Sequence, residues 1–436
     1  MMFLPARPRK HLLLGTLLAV AAACNDSVYS ATDPEVRVAT RVVWAGAEIV
    51  LTSTDFIGAD TLPLVILGDD TLPSRYAPRD SVFVVAPQRQ GTFQLWVGFR
   101  GRLPLPFGEV AVGGGYRGTR LVPLIGGYPL RWPGGPRATF LIAVPGGLAS
   151  VDPNSGIATS VLPDSIFSQN CYNGPGPAPG GRVTVAGRTA FTCGPLLSLR
   201  PDAPAFPPDT GPSAGSGYRF AAELGPDRWL IFSHHRVDSW SRAPDRTWTS
   251  VMYWYGEPND VVMSPTRGLA VPIGANSRGE GVPVFSAASV GPAYRLSGFS
   301  VLWGAQFTDD GDTLYVAGVP SDTAAGQTVV LAVVRASDGE VLRSAPVWSG
   351  VCSIVLDPMQ PWLYLVGYTD GWAIATQVLD RRTLVPIASL TAPTSSGPGV
   401  LYPMLDAIRR RLYVVDSCPW CTTGYATPVT TFDLLR

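Results

Sequence analysis

One short apolar strand recurs through the last three quarters of the chain, and no other feature constrains the fold so tightly. It reads Phe140-Leu141-Ile142-Ala143, Val183-Thr184-Val185-Ala186, Trp229-Leu230-Ile231-Phe232, Leu269-Ala270-Val271, Leu314-Tyr315-Val316-Ala317-Gly318, Leu363-Tyr364-Leu365-Val366-Gly367 and Leu412-Tyr413-Val414-Val415. The seven copies start 40 to 49 residues apart, the length of one four-stranded unit that cannot bury its faces alone and must stack on its neighbours. Several copies follow turns of one kind, Ser264–Gly268, Thr308–Asp312 and Asp357–Pro361, where Asp, Pro and Gly supply the fixed or positive φ of a tight reversal. Helix is excluded as the main element: Gly 47 and Pro 42 interrupt the chain throughout, among residues that favour pleated surfaces. The chain is therefore expected to be all-β.

The period and the need to remove exposed edges point to a β-propeller over residues 119–436. The run Asp310-Gly311-Asp312-Thr313-Leu314-Tyr315-Val316-Ala317-Gly318, with its weaker copies, resembles the YVTN/lactonase-like and quinoprotein-like seven-bladed propellers. That resemblance implies a seven-bladed ring and leaves activity open, because the repeated residues form turns and fill the core. The last unit holds only three strands before Arg436, and Arg120-Leu121-Val122-Pro123-Leu124 reads like the missing outer strand, added from the N-terminal side.

Before the ring, residues 36–112 alternate with period two. Phe93, Leu95, Val97 and Phe99 interleave with more polar positions, and further strands are expected at Glu48–Ser53, Leu64–Leu67 and Ser81–Ala86. The order Ala45-Gly46-Ala47-Glu48-Ile49-Val50-Leu51-Thr52, Asp55-Phe56, Val65-Ile66-Leu67-Gly68 and Asp80 to Pro87 resembles the IPT/TIG immunoglobulin-like family, which implies a small sandwich. Residues 113–118, opening on three consecutive glycines, are expected to be a hinge between sandwich and ring.

The first 24 residues read as an address. Arg7, Arg9 and Lys10 precede an apolar run from Leu12 to Val20, too short to span a bilayer comfortably and closed by Ala21-Ala22-Ala23-Cys24. The run Val20 to Cys24 resembles the lipobox of bacterial lipoproteins, although Ala21 stands where that family usually carries Leu. The resemblance implies cleavage, acylation of Cys24 and anchoring of an exported chain to the cell-envelope membrane, with residues 25–35 as tether.

Chemical signals are sparse. Lys+Arg and Asp+Glu balance at 33 each, which removes the electrostatic footprint of a nucleic-acid binder. No nucleophile elbow, zinc-protease helix or phosphate-cradling loop occurs. His234 and His235 are adjacent, so in a strand they would face opposite ways; they are a binding candidate or a turn pair satisfied by backbone. Val334 to Trp348 resembles a repeat of quinone-dependent dehydrogenases in a single copy, and Ala243 to Trp248 approaches a sialidase Asp-box without its glycine. No cofactor and no metal are expected. Cys171 and Cys193 flank a Gly/Pro-rich loop and are disulfide candidates, as are Cys418 and Cys421 in Cys418-Pro419-Trp420-Cys421, leaving Cys352 as a buried thiol.

The leading functional expectation is a membrane-anchored, non-catalytic module that binds a protein or a glycan. Its candidate contacts are His234, His235 and the aromatic residues Trp240, Trp248, Tyr253 and Tyr255, read as lying on loops between strands. The alternatives are a lactonase-like or glycan-cleaving hydrolase acting at the channel mouth and a structural envelope protein.

Overall fold

A computed structural model describes residues 35–435 apart from 58–60, 77–79, 100–102, 123–129, 132–139, 145–146, 156, 164–181, 186–187, 191–193, 200–208, 215–217, 226, 234–235, 245–247, 255–257, 259, 265, 275–279, 290, 323–327, 393–399 and 418–426. Cys24 and the expected export signal lie outside the described residues. Apart from the single 3-10 turn Thr54–Phe56, the described elements are all strands.

Alternation in the first segment builds two sheets around one core. The first runs in the order Arg37–Val38, Glu48–Thr52, Ser81–Val85, Ser74–Tyr76. The second runs Val42–Trp44, Leu105–Gly113, Gly91–Gly98, Leu64–Leu67, Asp70–Leu72. Every second residue turns inward: Ile49 and Leu51 from the first sheet meet Val65, Leu67, Leu95, Val97, Val110 and Val112 from the second, all buried. The four strands expected from the sequence are all present.

From Gly115 onward the chain forms a series of sheets arranged as in a propeller. Four-stranded antiparallel sheets comprise Leu130–Pro163, Asp260–Leu296, Phe299–Val347 and Val351–Thr391, the strands of each in sequence order. The first strands of successive sheets, Asp260–Ser264, Phe299–Phe307, Val351–Leu356 and Val400–Asp406, touch one another and surround the axis. The fourth strand lies outermost, as the largely exposed Val341–Val347 illustrates. In the four-stranded sheets the recurring motif is the second strand, whereas its copy at Val183 lies in Arg182–Val185, paired antiparallel with Arg188–Ala190 and parallel with Gly194–Leu199. Trp229–Phe232 lies within Arg228–Ser233, between Tyr218–Gly225 and Arg236–Arg242, and the motif is so apolar because both its edges are paired and both its faces covered. One stretch departs from four strands per repeat: Arg182–Val185 to Trp248–Trp254 merge into a single eight-stranded sheet. Its first half lies among Gly/Pro-rich segments with too little alternation to fix register.

The ring closes as the incomplete last unit requires. Gly115–Val122 pairs antiparallel with Thr427–Asp433, Arg120 opposite Val429 and Val122 opposite Thr427, giving a closing sheet with Arg411–Ser417 and Val400–Asp406. The next sheet docks on it through polar contacts: Arg120 Nη1 donates to Asn154 O at 2.8 Å and Arg411 Nη1 to Asn154 Oδ1 at 2.6 Å.

The expected hinge at 113–118 is corrected. Leu105–Gly113 and Gly115–Val122 are both strands, and only Gly114 lies between them. Gly114 sits at φ +69°, with the Trp44 ring where a Cβ would be, so glycine here permits a tight, packed joint in place of a free one. Trp44 is buried, meets Trp362 edge-on at 5.0 Å and belongs to the same core as Tyr364, Leu412 and Phe432. Sandwich and ring share a hydrophobic core.

Candidate functional site

Each sheet has two ends. At one, the first strand turns into the second, and a residue at or just after the end of the first strand caps that turn: Ser264 Oγ accepts from Arg267 N at 3.3 Å, Asp357 Oδ1 from Met359 N at 2.9 Å, and Asp406 Oδ1 from Arg409 N at 2.8 Å. The sandwich docks at this end. Here Asp357 also carries an ion pair to the neighbouring sheet: Arg410 Nη1 donates to Oδ1 at 3.0 Å, its Nη2 lies 2.7 Å from Oδ2, and the Tyr364 hydroxyl donates to Oδ2 at 2.7 Å. Arg410 Nε donates to Leu435 O at 2.7 Å, and its guanidinium lies over the Trp362 ring at 5.7 Å. All three polar side chains are buried. Burial alone would raise the Asp357 carboxyl, but hydrogen bonds from Arg410, Tyr364 and the Met359 N–H outweigh it and hold the group below the usual carboxylate range. Burial, then Asp357, pushes the Tyr364 hydroxyl upward. No labile proton is left near neutral pH, so this cluster holds the fold together.

The opposite end is built differently. On the axial strand Phe299–Phe307 the pairing slips at mid-strand, between Leu302 and Gly304, and on its neighbour Val351–Leu356 near the strand start, between Val351 and Ser353. The bulged residues are Trp303 and Cys352. A bulge re-aims its side chain, and Trp303 remains 39% exposed on a strand that surrounds the axis. At Gly304 a Cβ would come within 3.0 Å of the Ser353 Cα, so the two strands approach closely beside the bulges. The Cys352 thiol donates to Gly350 O at 3.5 Å; burial, with a smaller contribution from Asp416, pushes it up to about 11. It stays a neutral thiol at physiological pH and is a poor nucleophile.

Further along this end, the Tyr368 hydroxyl donates to the buried Asp416 carboxylate at 2.8 Å, and Trp348 Nε1 donates to Tyr368 O at 3.0 Å. Tyr368 leads into a turn fixed by Thr369 N to Ala373 O, Trp372 N to Thr369 O and Ala373 N to Thr369 Oγ1. The turn holds Trp372 at φ +61°, 51% exposed, its ring edge-on to Tyr368 at 5.8 Å. A bulky residue in the left-handed region costs about 1–2 kcal/mol, so its backbone bears strain while its indole stays in water.

Of the residues singled out from sequence, Trp240 lies in Arg236–Arg242, paired with Trp229 and Ser250, half-buried with its indole N–H buried and without a partner among the described residues. Trp248 and Tyr253 lie in Trp248–Trp254, opposite Arg242 and Val237. The expectation that these aromatics sit on loops is corrected: Trp240, Trp248 and Tyr253 lie in the paired strands Arg236–Arg242 and Trp248–Trp254. His234, His235, Tyr255, Cys171, Cys193, Cys418 and Cys421 lie outside the described residues. Cys352 is a free thiol, half-buried as a bulged residue. Sequence reasoning missed Trp303, Trp372 and Arg410. The Asp370-Gly371 pair before Trp372 and the run Arg409-Arg410-Arg411, in a chain only 15% charged, were the available signals.

No family model matches the chain, and no curated protein does. Among solved structures it is similar to an auxiliary nutrient binding protein from Bacteroides thetaiotaomicron (11% identity, TM-score 0.36, 91% of this chain and 97% of that one). It is also similar to the WD40 domain of Toxoplasma gondii coronin (12%, TM-score 0.35, 74% and 88%). A third similarity is to Kuenenia stuttgartiensis hydrazine synthase (15%, TM-score 0.32); it covers 44% of this chain, which spans about half, 53%, of that protein's length.

Proposed function

We propose that the chain is a non-catalytic binding module of the bacterial cell envelope: an immunoglobulin-like sandwich and a seven-bladed propeller, tethered to a membrane through an acylated Cys24, with its ligand held at the ring end that carries Trp303 and Trp372. The observation that carries the reading is the placing of two indoles in water by irregular backbone, one by a bulge on an axial strand and one by a left-handed turn. An exposed indole offers a flat apolar face with one polar edge, complementary to the C–H face and hydroxyl rim of a pyranose. A glycan is therefore the ligand class. The raised Cys352 thiol and the absence of a nucleophile motif in the sequence support binding without turnover.

The test is titration of the purified mature chain with a panel of bacterial, plant and host oligosaccharides, read by quenching of tryptophan emission and by product analysis. Saturable binding without new products, weakened by Trp303→Ala and Trp372→Ala, supports the reading. Turnover of a lactone or glycan would replace it with the hydrolase alternative.

A further inference from the structure

We propose that the end of the sandwich remote from the ring rests directly on the lipid bilayer, so that the chain is held by an apolar contact as well as by its acyl anchor. The proposal rests on the anchoring at Cys24 given above. Strand direction defines the remote end. Glu48–Thr52 runs away from the ring joint, Leu64–Leu67 starts at the remote end, and Gly91–Gly98 and Leu105–Gly113 meet there. At that end Ile57 is 63% exposed, Leu62 43%, Leu64 46% and Leu103 77%. They lie in the strand ends and connections of this one end. Phe56, preceding Ile57, stacks on Phe99 at 5.8 Å, and a Cβ on the adjoining Gly98 would meet both Leu64 and Pro104 at 3.3 Å. Aliphatic side chains scattered singly over a surface are ordinary; four gathered at one tip mark a contact.

The chain's own path names the occupant. Arg37 pairs with Thr52, so the described chain begins at this same tip and leads back from there toward Cys24. Eleven residue steps from Cys24 to Glu35 reach at most about 40 Å, which confines the tip to the neighbourhood of the membrane that holds the acyl group. The ring end with Trp303 and Trp372 then faces away from the lipid. The contact proposed is through these apolar side chains, beside Asp55 and Asp80 and the Arg37–Glu35 pair at 2.9 Å, and burial of apolar surface resists salt where charge attraction does not.

The test uses the mature chain with Ser in place of Cys24, which cannot be acylated, and vesicles of phosphatidylethanolamine and phosphatidylglycerol. Co-sedimentation that survives high salt is expected. Combined Ile57→Ser, Leu62→Ser, Leu64→Ser and Leu103→Ser should weaken it about tenfold or more, as should Leu103→Asp alone in part, whereas Val341→Ser with Leu342→Ser on the ring's outer strand should not. Protein that stays in the supernatant at every lipid concentration, that sediments equally without vesicles, or whose tip variants bind unchanged would overturn the proposal. Mass analysis of Cys24 in the native protein tests the acyl anchor separately, and neither result determines the other.

Discussion

Asp357, Arg410 and Tyr364 leave solvent together at one end of the ring, each meeting a partner, while at the other end Trp303 and Trp372 stay in water although a bulge and a left-handed turn are needed to keep them there. The first arrangement satisfies buried charge across two sheets and backs onto Trp362 and Trp44, where the sandwich docks. The second gives up backbone regularity and leaves apolar surface uncovered. The contrast separates a holding end from a presenting end, and each can be broken without the other.

The largest effect is expected from Arg410→Met. It leaves the Asp357 carboxylate buried without its counter-charge, a loss of about 3–5 kcal/mol, and should lower the melting temperature strongly while leaving glycan affinity per folded molecule unchanged. Trp44→Ala removes a buried ring from the shared core and should cost a similar amount, about 3–5 kcal/mol; thermal unfolding checks both. Acid sharpens the same point. Because the folded-state pKa of Asp357 is lowered, its contribution is present above the unfolded value of about 4 and is lost as pH falls through the folded value. The stability difference between the native chain and Asp357→Asn should therefore narrow below about pH 4, and an unchanged gap would mean that Asp357 is not the titrating group.

Gly114→Ala comes next, at about 1–2 kcal/mol for the positive φ alone, with further loss from crowding against Trp44. Mild proteolysis should leave residues 113–118 intact, the reverse of what three glycines suggest in sequence. That reversal shows where legibility stopped. The second strands of the sheets were readable because burial on both faces writes an unbroken apolar run such as Leu314–Gly318, and the closing strand was readable because the last unit counts only three. Val341–Val347, outermost and exposed, carries no such signal. The glycines misled because a flexible φ serves a packed joint as well as a loose one, and only the position of Trp44 decides between them. Trp303 could not be found because a bulge belongs to the pairing of two strands and not to either sequence alone. Trp240, Trp248 and Tyr253 were read as loop residues because their composition resembles a recognition surface, whereas all three lie in paired strands.

The smallest expected change in stability comes from Trp372→Gly, which relieves the left-handed strain as it removes the ring and should stay within about 1 kcal/mol of the native chain. Its effect on binding should be large. The most direct test of the division between the two ends is therefore glycan titration of the Trp303→Ala/Trp372→Gly double variant beside Arg410→Met, each with its melting temperature. The account predicts affinity at least about tenfold weaker in the double variant, with melting close to native, and native affinity in Arg410→Met below its lowered melting point. Native affinity in the double variant, or no binding of any glycan by the native chain, would contradict it.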